Sequence, residues 1–101
     1  MEYYATWYRI PPICFKGDGL PYEECWTPLA HIWLRDNSDN TIDEQTYLPF
    51  KISETTHTSW DTVYYQTKEE ADKSIGELVI PHIIKEWGEE YGITEEKIKK
   101  N

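Results

Sequence analysis

Residues 62–80 read TVYYQTKEEADKSIGELVI, and the change of pattern inside this stretch sets the fold class. Thr62 to Gln66 is β-branched and aromatic, which favours extended backbone. Thr67-Lys68-Glu69-Glu70 then supplies a hydroxyl N-cap with a glutamate three residues on, the pattern of a capping box. Glu69 and Glu70 also suit the positive end of a helix dipole. Beyond them Ala71, Ile75, Leu78 and Val79 fall on one side of a helix. A short strand running into a capped helix from Lys68 to about Ile80 is expected.

Pro81 interrupts the next stretch. Ile83, Ile84, Trp87 and Tyr91 make a second apolar stripe, offset from the first by more than a third of a turn. A straight helix would send the two stripes to different faces, so a kink or a restart at Pro81 is expected. The other reading is a near-continuous helix whose second stripe packs on another subunit. Gly92 suits the position just past a helix end, with Ile93 as the apolar contact after it. Thr94 to Asn101 reads as a charged tail, which leaves residues 1–93 as one domain.

Upstream, Glu2 to Ile10 is rich in Tyr, Trp and Thr and reads as a strand. One face carries Tyr3, Ala5, Trp7 and Arg9, and the other Tyr4, Thr6, Tyr8 and Ile10. Both faces carry rings, so the strand is either covered twice or covered once and offered to a partner. Pro11-Pro12 is expected to end it. Residues 13–28 read as a long connection. Leu29 to Arg35 is a second strand whose small apolar side, Ala30, Ile32 and Leu34, faces the core, with His31 and Trp33 on the other side. Asp36 to Asn40 is a turn cluster, and Tyr47 to Ser53 a third strand. The fold class is α+β: three or four mainly antiparallel strands, covered on one face by a C-terminal helix or kinked helix pair.

Composition narrows the functional classes. The chain has 101 residues, net charge −9, five Trp and eight Tyr. Its sign disfavours direct nucleic-acid binding and anionic membranes. No apolar run is long enough to span a bilayer, and Met1-Glu2-Tyr3-Tyr4 does not read as an export signal. Cys14 and Cys25 are therefore expected to be reduced thiols in the cytoplasm.

Five candidate chemistries follow. His31, His57, His82 and the cysteines lack zinc spacing. Asp36, Asp39, Asp43 and Glu44, with Asn37 and Asn40, offer hard oxygen ligands but miss the EF-hand pattern at its sixth and twelfth positions. Cys25, His31 and Asp36 supply residue types for a nucleophilic site, and Glu23-Glu24 for acid–base work, without a nucleophile elbow or phosphate loop. Trp26, Trp33 and Trp60 are candidate sugar-stacking rings. The surplus of rings with an acidic balance favours the fifth, a non-enzymatic interaction or regulatory domain that needs no cofactor. Its expected partner is a basic protein, with a homodimer also expected. The sharper form is an inhibitor of the kind mobile elements encode, whose carboxylates around Asp36 to Glu44 mimic DNA. The candidate partner residues are Trp33, Asp36, Asp39, Asp43, Glu44, Ile83, Ile84, Trp87 and Tyr91.

Overall fold

The computed structural model describes residues 2–49 and 62–101. Strands β1 (Tyr3–Phe15), β2 (Cys25–Asp36) and β3 (Thr41–Tyr47) are followed by helix α1 (Lys68–Tyr91), a 3-10 turn (Glu95–Lys97) and strand β4 (Ile98–Lys100). The sheet order is β3-β2-β1-β4. β1–β2 and β2–β3 are antiparallel and β4 is parallel to β1. The fold is α+β with a mostly antiparallel sheet.

One face of the sheet makes the core. Ala5 and Trp7 of β1 and Ala30, Ile32 and Leu34 of β2 pack against Ile75, Val79, Ile83 and Trp87 of α1. The buried helix positions Ala71, Ile75, Val79, Ile83 and Trp87 recur every four residues. At 3.6 residues per turn such a stripe winds about the helix axis. A twisted sheet can follow it where a flat one could not. Ile83 and Trp87 are therefore core residues and not part of a surface stripe. Tyr91 joins them, its ring edge-on to Tyr3 at 5.0 Å. Ile84 alone of that stripe is exposed.

Pro81 lies inside α1, which continues as one element for 24 residues. No second helix starts there. The proline is exposed, and so is Glu77, whose carbonyl loses its ordinary donor and can turn to water instead. The helix ends are as expected. Thr67 Oγ1 accepts the Glu70 N–H at 3.2 Å, and Gly92 closes the helix at φ 68°. Ile93 is buried behind it. Its carbonyl lies 3.1 Å from where a Cβ on Gly88 would sit, so the returning chain passes close under the helix.

That return corrects the expected tail. Residues after Thr94 form the 3-10 turn and β4, and Asn101 N–H donates to the Trp7 carbonyl at 2.7 Å. Ile98 packs on the core, and Lys100 Nζ lies 5.5 Å from the Trp7 ring centre. Pro11-Pro12 does not end β1 either. The register passes from Ile10–Leu29 to Ile13–Thr27, so Pro11 and Pro12 oppose Pro28 alone. All three lack an N–H, and a bulge is where a ladder tolerates them. The bulge also moves odd-numbered β1 residues to the other face, which leaves Ile13 and Phe15 exposed. Of the expected connection 13–28, residues 13–15 belong to β1 and 25–28 to β2, which leaves 16–24 as the connection itself. β3 begins six residues earlier than expected, at Thr41, and ends at Tyr47; Leu48 and Pro49 are not strand, and residues 50–53 of the expected third strand lie outside the described residues. The expected strand Thr62–Gln66 reduces to isolated bridges at Thr62 and Tyr65, the latter paired with Trp26.

Two outcomes follow from this packing. Gly92→Ala should lower stability by about 1 kcal/mol, because a Cβ is disfavoured in the left-handed region; denaturant unfolding measures it. Ile32, fully buried at the sheet centre, should cost roughly 2–5 kcal/mol when changed to Ala, read in the same way.

Candidate functional site

The face of the sheet away from α1 holds the candidate site. Pairing register sets its rows. Tyr4 lies opposite Arg35, Thr6 opposite Trp33, and Tyr8 opposite His31. Trp33 in turn faces Glu44 on β3, and Thr6 faces Lys99 on β4. One row across the sheet therefore reads Glu44, Trp33, Thr6, Lys99. At strand spacing it spans roughly 14 Å.

Rings dominate the centre. Tyr8 and His31 are stacked with centroids 5.7 Å apart, Tyr8 and Trp33 lie at 5.3 Å, and His31 and Trp33 at 4.5 Å. Tyr8 remains 39% exposed. Charged groups frame the rings. Glu44 Oε1 is 2.5 Å from His31 Nε2, and Thr46 Oγ1 is 3.5 Å from Nδ1. A carboxylate only accepts, so Nε2 is the donor in the contact with Glu44. The Arg35 guanidinium lies 5.5 Å from the Trp33 ring centre, and Lys99 Nζ lies 5.8 Å from the Tyr4 ring. Thr6 is only 7% exposed, yet among the described residues its Oγ1 has no hydrogen-bond partner, and nor has Arg35 Nε. The face thus presents rings and charges together, with those two unpartnered polar atoms buried beneath them.

The structure separates the other sequence-derived candidates. Of the acidic cluster, only Glu44 joins this site. Asp36 is buried in the β2–β3 turn, where its carboxylate accepts the N–H of Ser38 at 2.9 Å and of Asn40 at 3.0 Å. The Asn40 side-chain amide adds a bond at 3.1 Å. These donors, the Asn40 N–H first, hold the Asp36 carboxyl below its ordinary value. Asp39, in the left-handed region at φ 63°, accepts a hydrogen bond from the Tyr4 hydroxyl, which raises the Tyr4 pKa. Asp43 pairs with Leu34 on the helix side and takes a 3.1 Å bond from the Gln45 amide. These three carboxylates shape the hairpin and do not form one acidic patch with Glu44.

Cys25, His31 and Asp36 are likewise not brought together. Cys25 donates to the Tyr22 carbonyl at 3.3 Å. It lies six residues along β2 from His31, roughly 20 Å of extended chain, and Asp36 points to the opposite face. Among the described residues no group of three His, Cys, Asp or Glu is placed to hold a metal ion. Cys14 pairs with Trp26 and Cys25 with Phe15, so the two free thiols alternate to opposite sides. Trp26 lies under Lys68, whose Nζ is 6.0 Å from its ring centre. His57 and Trp60 lie outside the described residues. No described helix is long and apolar enough to cross a membrane.

A second concavity, a groove of about 420 Å³, runs between β3 and α1, lined by Tyr47, Leu48, Leu78, Pro81 and His82. His82 packs on Tyr47 with ring centres 4.0 Å apart. Burial pushes the His82 pKa below its ordinary 6.5, aided by Lys85 and opposed by Glu86. The sequence already placed His31 beside Trp33 on one face of β2; Tyr8 was missed as their companion because only the β1–β2 register brings it there.

Comparison with known proteins finds no matching family model, no matching curated protein and no matching solved structure.

The two shifted groups predict a pH dependence. Unfolded His82 protonates at a higher pH than the folded residue, so its contribution to stability is intact above pH 6.5 and is lost as pH falls through the folded value. Asp36 adds a second loss of the same sign, beginning below its ordinary value of 3.8. Thermal melts should show His82→Gln flattening the first slope and Asp36→Asn the second.

Proposed function

We propose that this chain is a small, non-enzymatic interaction or regulatory domain that works through the open face of its sheet. The observation that carries the reading is the Tyr8–His31–Trp33 cluster on the side away from α1. The helix already covers one face, and a ring-rich second face with Tyr8 well exposed suits a protein partner. Tyr, Trp and Arg are the residue types that concentrate binding energy at interfaces. Trp33, Arg35 and Tyr8 supply them within one patch.

The net charge of −9 favours fast encounter with a basic partner and disfavours direct contact with nucleic acid. Glu44 is the acidic member of the patch itself. A cytoplasmic setting is supported by two cysteines that are free and sit on opposite sides of their strand pair, an arrangement with no use for oxidation. No catalytic role is assigned, since the residue types that suggested one are distributed over both faces.

The test is affinity capture with the tagged chain. Tyr8→Ala and Trp33→Ala should each lower the amount of captured protein at least tenfold with an unchanged far-UV spectrum, and capture should weaken as salt rises. A wild-type chain that holds neither another protein nor a second copy of itself removes the reading.

A further inference from the structure

We propose that the occupant of the open face is a second copy of this chain, related by a two-fold axis that runs along the strands between β1 and β2. The inference rests on the reading of that face as an interaction surface.

The argument is one of self-complementarity. In a two-fold interface, if residue i meets residue j of the other copy, then j meets i. An axis parallel to the strands, midway between β1 and β2, exchanges β1 with β2 and β3 with β4 across the interface. Each residue then faces its own cross-strand neighbour in the other copy. Trp33 lies over Thr6, Tyr8 over His31, Tyr4 over Arg35, and Glu44 over Lys99, each twice.

Every one of these pairs is chemically matched. Trp33 sets a large ring over the small Thr6, whose Oγ1 is buried within its own chain and takes no part. Arg35 over Tyr4 is a cation on a ring face. Tyr8 on His31 repeats the stacking already seen within the chain. Glu44 and Lys99 are opposite charges at the two ends of one row. The other aligned choice, an axis running across the strands, sets Glu44 on Glu44 and Lys99 on Lys99. Charge therefore selects between the two arrangements. Sheet twist rotates the pair by about 30°, as in other face-to-face sheets.

The area available fits a weak dimer. Three strands by some seven residues, with the three residues of β4 beside them, measure about 380 Å². Two such faces bury roughly 800 Å², the size of a weak, transient interface. Micromolar dissociation is the expected range.

Sedimentation equilibrium from 2 to 200 µM, with thermal melts as a folding control, tests the proposal by charge exchange. Wild type should dimerise. Glu44→Lys and Lys99→Glu should each be monomeric while still melting cooperatively, because each places like charges together twice. An equimolar mixture of the two should form a heterodimer, and the double variant should regain the homodimer. Trp33→Ala should weaken the dimer at least tenfold. Dimers that persist in both single variants would place self-association on another surface and overturn the proposal. A wild-type monomer that captures a different protein in a Trp33-dependent way would also overturn it, while leaving the interaction reading intact. A monomer that captures nothing overturns both.

Discussion

One helix can cover only one side of a sheet, and this molecule is organised around that limit. The apolar positions of α1 advance by four residues, so they wind around its axis as they run from Ala71 to Trp87. The sheet's own twist brings a new patch of strand under each turn. That match allows 24 residues of helix to stay in contact from the N-cap to the left-handed glycine. It also commits Ala5, Trp7, Ala30, Ile32 and Leu34 to the inside. The period of two in β1 and β2 then sends Tyr8, His31 and Trp33 outward. The functional reading is therefore a direct result of the packing.

Much of this was legible in the chain. The Thr67 cap, the Gly92 end and the inward side of Leu29 to Arg35 were written in local chemistry that tertiary packing did not override. At Pro81 only the expected restart fails, because two offset stripes call for a second helix only over a flat surface. β3 was hidden by its composition: an edge strand flanking a polar turn needs little apolar periodicity, and Thr41 to Tyr47 has little. β4 was hidden for a related reason, since three residues with two lysines carry no strand signal until Trp7 and Ala5 are placed beside them. In the site, Trp33 and Glu44 could be named from sequence. His31 follows from the alternation of β2, whereas Tyr8, Thr6 and Lys99 depend on register, which is a relation between distant segments.

The acidic turn shows why charge counts are weak guides to partners. Asp36 is negative because the chain's own N–H groups hold it so, Asp39 closes onto the Tyr4 hydroxyl, and Asp43 turns under the sheet. Carboxylates that are already engaged in folding a hairpin offer little to a visitor. Glu44 differs in standing at the margin of a ring cluster, where its charge is directed across the face instead of into the turn.

The proline bulge has one more effect. Beyond Trp7, β1 has no neighbour on its second side among the described residues, and a strand left open in this way can recruit copies of itself without limit. The bulge at Pro11 and Pro12 breaks the regular alternation along that margin, so a foreign strand laid along it could zip only a few residues before the ladder failed. Sideways growth along this margin is thereby held to short pairings.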